Sequence, residues 1–350
     1  LWLGCFLALG AMGVALLSHL AVLGIAVQGD HGLLFTMACT TPAWRSPTPR
    51  RRKCVRRSNC SPVRPRSALA SARAGHTVAL YEQATRFGEV GAGLQLGPNA
   101  VRVLADWGLL DALRACAAFP EQLSVRDARS AAPLGRLRLG ARAVARYGQP
   151  YATLHRADLH ALLLQAVTAQ PGVTLTLDQG VTTWQADDAQ VRLDLSGGAT
   201  AAGRLLLGCD GLWSRVRVPL LGDQMPQPTG HLAYRGMLPV ADLPADVSAC
   251  DVTAWLGPRM HAVCYPVRRG EWFNVVVIVQ GRLDGDVQNW SHAADAAGLR
   301  AATAAGLMDG KAVGVGQIRR FGRGSSSVKR GVFQQPDQFV GLTRCNGGGA

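Results

Sequence analysis

The chain has 350 residues, 48% of them hydrophobic, which is enough for two domains with sizeable cores. Its net charge of +14 is confined to two flanks: residues 44–73 hold ten Arg or Lys and no acid, and residues 311–350 hold seven against Asp337 alone. The body between them is close to neutral, so it lacks the clustered cations of a phosphate-binding face, and no nucleic-acid partner is expected.

Residues 1–28 are almost uninterrupted apolar, with Ser18, His19 and Gln28 the polar side chains and no charge before Asp30. That length suffices for one membrane-spanning helix, and the following arginines would hold its C-terminal side in the cytoplasm. The positive n-region of a secretory signal is absent. A second reading has equal standing: the segment is not native protein, and Met37 is the true start. Residues 29–66 are rich in Arg, Pro and Ser, with RRRKCVRR at 50–57 and no glycine between Gly32 and Gly75. They read as a disordered basic linker or a juxtamembrane patch.

From residue 67 the pattern is that of a doubly wound α/β protein. Ala68–Ala74 reads as a helix end stopped by Gly75, Thr77–Tyr81 as a short strand with Glu82 at its carboxyl end, and Pro98–Trp107 as a helix closed by Gly108. Arg156–Ala169 is the next helix. Val173–Leu177, Val181–Gln185 and Val191–Leu195 alternate like antiparallel strands, and Leu205–Leu207 returns to the sheet. His231–Pro239, Thr253–Leu256, His261–Tyr265 and Trp272–Val279 read as strands of a second sheet, residues 293–308 as an Ala-rich helix, and 311–350 as an irregular tail. Nine cysteines, at 5, 39, 54, 60, 116, 209, 250, 264 and 345, form no C-x-x-C pair and no metal spacing with histidine. Reduced thiols in a cytoplasmic enzyme are the simplest expectation, with no metal site.

Several segments carry chemistry. Glu82, at the tip of a strand in a dinucleotide-type fold, suits the adenosine ribose hydroxyls. Gly88-Glu89-Val90-Gly91-Ala92-Gly93-Leu94-Gln95-Leu96-Gly97-Pro98 frees the backbone to approach a flat ligand at Gly91 and Gly93. Arg156 opens a helix, where its fork can pair with phosphate. Gly208-Cys209-Asp210-Gly211-Leu212-Trp213-Ser214-Arg215-Val216-Arg217 ends a strand in an acid, a glycine and a cation. His261 and Tyr265 alternate with apolar residues and so share one face of their strand, and Tyr234 and His231 are further candidates on the same sheet.

The Asp210-Gly211 segment, with Glu82 and the glycine-rich loop upstream, resembles the fingerprint of the FAD-dependent aromatic-ring monooxygenases, the para-hydroxybenzoate and salicylate hydroxylase-like flavoproteins. The resemblance covers about residues 67–310. It implies an FAD/NAD(P)-binding Rossmann-like domain with a mixed β-sheet substrate domain: residues 67–225 for FAD, incomplete and interleaved with substrate-domain elements, and 226–310 for the substrate. It assigns Asp210 to the ribityl or ribose hydroxyls, Gly211 to close backbone approach, Arg156 to the flavin phosphates or ribityl chain, and Arg217 to ordering the loop or facing the nicotinamide. Tyr234 and His261 become the catalytic candidates, favouring the ionised form of a phenolic substrate. The implied reaction is hydroxylation of a small aromatic compound with NADH or NADPH and O2.

Two family motifs are missing. No G-x-G-x-x-G loop precedes Ala68, and no Gly-Asp motif followed by Ala-His-Pro occurs in 311–350. A reading-frame shift at each flank would account for both; a diverged basic arm is the rival. A catalytically impaired or non-enzymatic remnant, tethered to a membrane through residues 1–28, is therefore the alternative function, and an FAD-dependent dehydrogenase or halogenase a third.

Overall fold

The computed structural model describes residues 63–87, 93–211, 213–222, 229–243, 245, 247–281, 292–294, 301, 328–333 and 341–344. The apolar segment 1–28 and the basic linker up to residue 62 lie outside them, as does Gly91. Among the described residues, no helix is long and apolar enough to cross a membrane.

In chain order the elements are α1 (Val63–Arg73), β1 (Val78–Tyr81), β2 (Gly93–Leu96), α2 (Pro98–Asp106), α3 (Leu110–Arg114), β3 (Gln122–Asp127), β4 (Pro133–Arg138), α4 (Gly140–Tyr147), β5 (Ala152–His155) and α5 (Arg156–Thr168). There follow β6 (Val173–Thr176), β7 (Val181–Ala186), β8 (Val191–Leu195), β9 (Thr200–Gly203), β10 (Leu205–Gly208) and α6 (Arg217–Leu221). The chain continues through β11 (His231–Pro239), β12 (Val252–Gly257), β13 (Met260–Val267), β14 (Trp272–Gln280), β15 (His292–Ala294), β16 (Val328–Phe333) and β17 (Gly341–Arg344).

These elements divide into two compact units. One gathers residues 63–87, 156–222 and 341–344. Here β1 and β6 pair in parallel, from Val78 opposite Val173 to Tyr81 opposite Thr176. Helix α1 begins at Val63, ahead of the segment read from sequence, buries Ala68 and Leu69, and packs on α5. Its stop is Gly75, at φ +83°, a left-handed value that glycine adopts without a Cβ penalty. The meander β7-β8-β9 is antiparallel, and its inward residues Val181, Val191, Leu193 and Leu195 form a core with Leu206 and Val216.

The other unit gathers residues 93–155 and 230–333. Its eight-stranded sheet runs in the order β15-β16-β11-β14-β13-β12-β3-β4, antiparallel except for the parallel β12–β3 pair. Both faces of its centre are buried, so β13 and β14 read as near-continuous apolar runs. One face carries Tyr234, Trp255, Ala262, Cys264, Phe273, Val275 and Val277. The other carries Leu123, Val263, Tyr265 and Val267 and is covered by Tyr151 and Leu139. A separate ribbon, β2 with β5, lies in the same unit, and Thr153 on β5 donates its hydroxyl hydrogen to the carbonyl of Pro266 at 2.6 Å.

The structure corrects three expectations. Val173–Thr176 alternates as read, but β6 is parallel to β1: a period of two fixes faces, not direction, and the partner lies some ninety residues upstream. Leu205–Gly208 pairs antiparallel with β17, and β16 pairs with β11, so part of the supposed irregular tail is strand, held by partners that its own Gly- and Arg-rich sequence does not advertise. The Ala-rich stretch read as helix at 293–308 opens as strand β15 at its first two residues; Ala301 is helical, and the rest lies outside the described residues. Residues 93–155 group with the second sheet, through the contacts of β5 and β12–β13.

Candidate cofactor and substrate residues

Glu82 lies immediately beyond β1 and is fully buried. Its amide donates to the Thr176 carbonyl at 2.9 Å, continuing the β1–β6 ladder, while its carboxylate Oε1 accepts from the Ala84 amide at 3.0 Å. The parallel pair thus ends in an acid, the chemistry that ribose hydroxyls need. In the same unit Arg156 opens α5, partly exposed, at the end where helix amides favour an anion.

Asp210 is buried and turned onto its own loop. Oδ1 accepts from the Ser214 hydroxyl at 2.5 Å, and Oδ2 from the amides of Arg215 and Val216 at 2.7 and 3.1 Å. Ser214 Oγ accepts in turn from the Arg217 amide at 3.0 Å. Asp210 therefore shapes the turn into α6, and Arg217 is the first residue of that helix. Gly211 sits at φ +77°, exposed, with open space where a Cβ would stand, so backbone conformation rather than crowding requires glycine.

Gly93 belongs to the other unit. It opens strand β2, and a Cβ there would lie 2.5 Å from Tyr265 Cε2 and 2.9 Å from Asn274 Cγ. On its Cβ side this backbone packs closely against Tyr265 and Asn274. Its amide donates to Asn274 Oδ1 at 2.7 Å, tying β2 to β14.

Around Tyr265 lies a buried polar cluster. Tyr151 donates its phenol to Gln95 Oε1 at 2.5 Å, which leaves the Gln95 amide end to hydrogen-bond Tyr265. Burial pushes the Tyr265 phenol well above its ordinary range, against the opposing pull of Gln95 and of the Arg235 guanidinium. Burial likewise raises Tyr151, with the Tyr265 phenol adding to the effect. Both phenols are therefore held neutral, able to donate a proton into a hydrogen bond without ionising.

His261 and Tyr265 share one face of β13, as their spacing predicted. Tyr234 does not join them. In register it stands opposite Val277, which stands opposite Ala262, so Tyr234 belongs with the Trp255–Cys264 face and His261 with the reverse face. His231, also on β11, has an odd number like Arg235 and therefore projects to the Tyr265 side, at the far end of the strand. Gln95, Tyr151, Arg235 and Asn274 were not assigned roles from sequence. One signal was available: Asn274 is a lone inward polar residue in the apolar run of β14. Among the described residues, no group of three or more His, Cys, Asp or Glu could hold a metal ion.

The fold is that of the FAD-binding flavoprotein monooxygenases. HpxO of Klebsiella pneumoniae, solved with FAD and uric acid, superposes with a TM-score of 0.65 at 22% identity, over 82% of this chain and 69% of that one. By sequence the chain is a homologue of FAD-dependent aromatic-ring monooxygenases. It is 39% identical over 218 residues to 3-hydroxybenzoate 6-hydroxylase of Klebsiella oxytoca, covering 62% of this chain and 54% of that protein. It is 35% identical over 223 residues to 6-hydroxynicotinate 3-monooxygenase of Bordetella bronchiseptica, covering 62% and 56%. The chain thus spans about half the length of the curated relatives it matches. No family model matches it.

Proposed function

We propose that this chain is an FAD-dependent monooxygenase that hydroxylates a small aromatic compound with NAD(P)H and O2. The observation that carries the reading is Glu82, a fully buried carboxylate at the tip of a parallel strand pair in a chain homologous to such enzymes. FAD, once bound, supplies the oxidation–reduction chemistry with NAD(P)H and O2 that these side chains lack. Glu82 accepts hydrogen bonds from the adenosine ribose, Arg156 pairs with phosphate, and Asp210 holds the turn that presents the Gly211 backbone and Arg217.

On the substrate sheet, His261 and Tyr265 face the reacting ring. Tyr265, kept neutral by burial and oriented by Gln95, donates a hydrogen bond to the substrate, and His261 takes up or returns its phenolic proton. The buried apolar flanks of β13 and β14 exclude water from that face. The partners in this reading are an aromatic compound, NAD(P)H and O2, with no nucleic acid, and the protein works in the cytoplasm.

A second reading, a homologue impaired in FAD binding, rests on one observation: no glycine stands between Gly32 and Gly75, where a pyrophosphate loop would need several. One experiment separates the two. The enzyme reading expects the full chain to purify yellow, bind FAD stoichiometrically and oxidise NAD(P)H faster when 3-hydroxybenzoate is added. A colourless protein indifferent to added FAD rejects it.

A further inference from the structure

Tyr151, Gln95 and Tyr265 come from three separate segments, and strand pairing brings them to one face. In the β2–β5 ribbon Gln95 stands opposite Thr153. Alternation puts Gly93 on the same side of β2 as Gln95, and Tyr151 on the same side as Thr153, two residues before it. That side lies against the sheet. The Thr153 hydroxyl donates to the Pro266 carbonyl, the Gly93 amide donates to Asn274, and a Cβ at Gly93 would meet the Tyr265 ring. Tyr151 is buried, and Gln95 is half-buried beside it.

The hydrogens of this row run in one direction. A carboxamide oxygen can only accept, so the 2.5 Å contact between the Tyr151 hydroxyl and Gln95 Oε1 uses the Tyr151 hydrogen. The nitrogen end of Gln95 can only donate, and it donates to the Tyr265 oxygen. That bond pulls the phenol toward its ionised form, which a hydrogen received does and a hydrogen given does not. The Arg235 guanidinium, whose charge acts on Tyr265 from β11, carries donors alone, and burial holds the adjoining Cys264 thiol protonated. Gln95 and Arg235 therefore leave the Tyr265 hydrogen to another acceptor. With the amide reversed, Gln95 Oε1 would take that hydrogen and Tyr151 would become the acceptor.

We propose that Tyr151 is a positioning residue for the hydroxylation: through Gln95 it sets the polarity of Tyr265, so that the phenol gives its hydrogen to an acceptor atom of the substrate instead of to the protein. Tyr151 acts without touching the substrate. This role rests on the proposed function for the place of Tyr265 at the reacting ring, and it adds the residue that stands behind Gln95. Tyr151→Phe removes the hydrogen that holds Gln95 Oε1, and the amide is then free to turn its oxygen toward Tyr265. Gln95→Glu presents an acceptor oxygen to both phenols, so Tyr265 turns its hydrogen inward.

The test is a double-mutant cycle on the full chain with FAD added, read as kcat/KM for NAD(P)H-dependent hydroxylation of 3-hydroxybenzoate. Tyr151→Phe is expected to lower kcat/KM about 10-fold, the range for one hydrogen bond, but less than about twofold in a chain that already carries Tyr265→Phe. Gln95→Glu should behave alike, and it decides alone should Tyr151→Phe fail to fold. A residue that merely supports packing gives the same loss in both backgrounds. Such additivity, or a Tyr151→Phe variant as active as the parent, overturns the proposal. The ligand-free protein supplies a second readout by NMR. The chain has five tyrosines, few enough to assign by Phe substitution once each is isotope-labelled at Cζ. Tyr151→Phe should displace the Tyr265 resonance at neutral pH. That signal remains readable if the protein proves colourless and inactive: the proposed function then fails, a displaced Tyr265 resonance upholds the Tyr151–Gln95–Tyr265 chain, and an unmoved one overturns it.

Discussion

Tyr234 and His261 project from opposite faces of one sheet, although both lie on buried strands separated only by β14. One substrate ring cannot touch both. Tyr234→Phe is therefore expected to change kcat by no more than about twofold, as a substitution remote from the chemistry does. His261→Gln is expected to lower it by about 100-fold or more, the range for loss of a general acid or base. Product formation per NAD(P)H consumed is the measurement, and equal losses in the two variants would contradict the face assignment.

Gly93→Ala tests the crowding beneath Tyr265. The added methyl meets a phenol ring carbon at 2.5 Å and an amide carbon at 2.9 Å, both on side chains fixed by packing. Either the β2 strand or the Tyr265 ring must move, at a cost of about 1–3 kcal/mol, the usual range for overpacking. Urea denaturation should show that loss, and the binding of an aromatic acid should weaken with it.

The Asp210 turn yields a comparison between two substitutions. Asp210→Ala removes the acceptor for one hydroxyl and two amides, at a cost of about 1–3 kcal/mol for buried donors left unpaired. Asp210→Asn keeps one acceptor oxygen and should recover part of that stability. FAD affinity, read by quenching of flavin fluorescence, should fall in the same order. An alanine variant with unchanged stability and unchanged FAD affinity would show that the turn does not depend on this carboxylate.

Tyr265 sets an alkaline limit. Its folded-state phenol titrates above the ordinary value of 10.0, chiefly through burial. Between the two values the unfolded chain ionises while the folded one does not, so the folded form binds more protons and stability falls as pH rises past about 10. Below that pH the contribution is fully present. Tyr265→Phe should flatten the loss measured by thermal unfolding from neutral pH to pH 11, and an unaltered slope would exclude this phenol as a cause.

Much of the fold was legible because local signals suffice for it. Glycine at positions 75 and 108 stopped helices, period-two runs marked β7, β8 and β11–β14, and Glu82 announced itself by following a strand. The direction of β6 and the partners of β10 and β16 were not legible, since pairing is settled between segments distant in sequence. The substrate side was legible by halves. Spacing put His261 and Tyr265 on one face, but nothing within β11 tells which of Tyr234 and Arg235 looks the same way; that depends on register with β14.

The sequence by itself carried the resemblance to FAD-dependent aromatic-ring monooxygenases, the strand-tip acid at Glu82 and the Asp210-Gly211 turn, because each is a short-range pattern whose chemistry is carried by neighbouring residues. Tertiary structure alone decided that Gly93 makes room for Tyr265 and that Arg235 and Asn274 join it on one face. It also decided that Tyr234 lies on the other. Those relations come from strand pairing, where a shift of one residue would turn every side chain to the opposite surface.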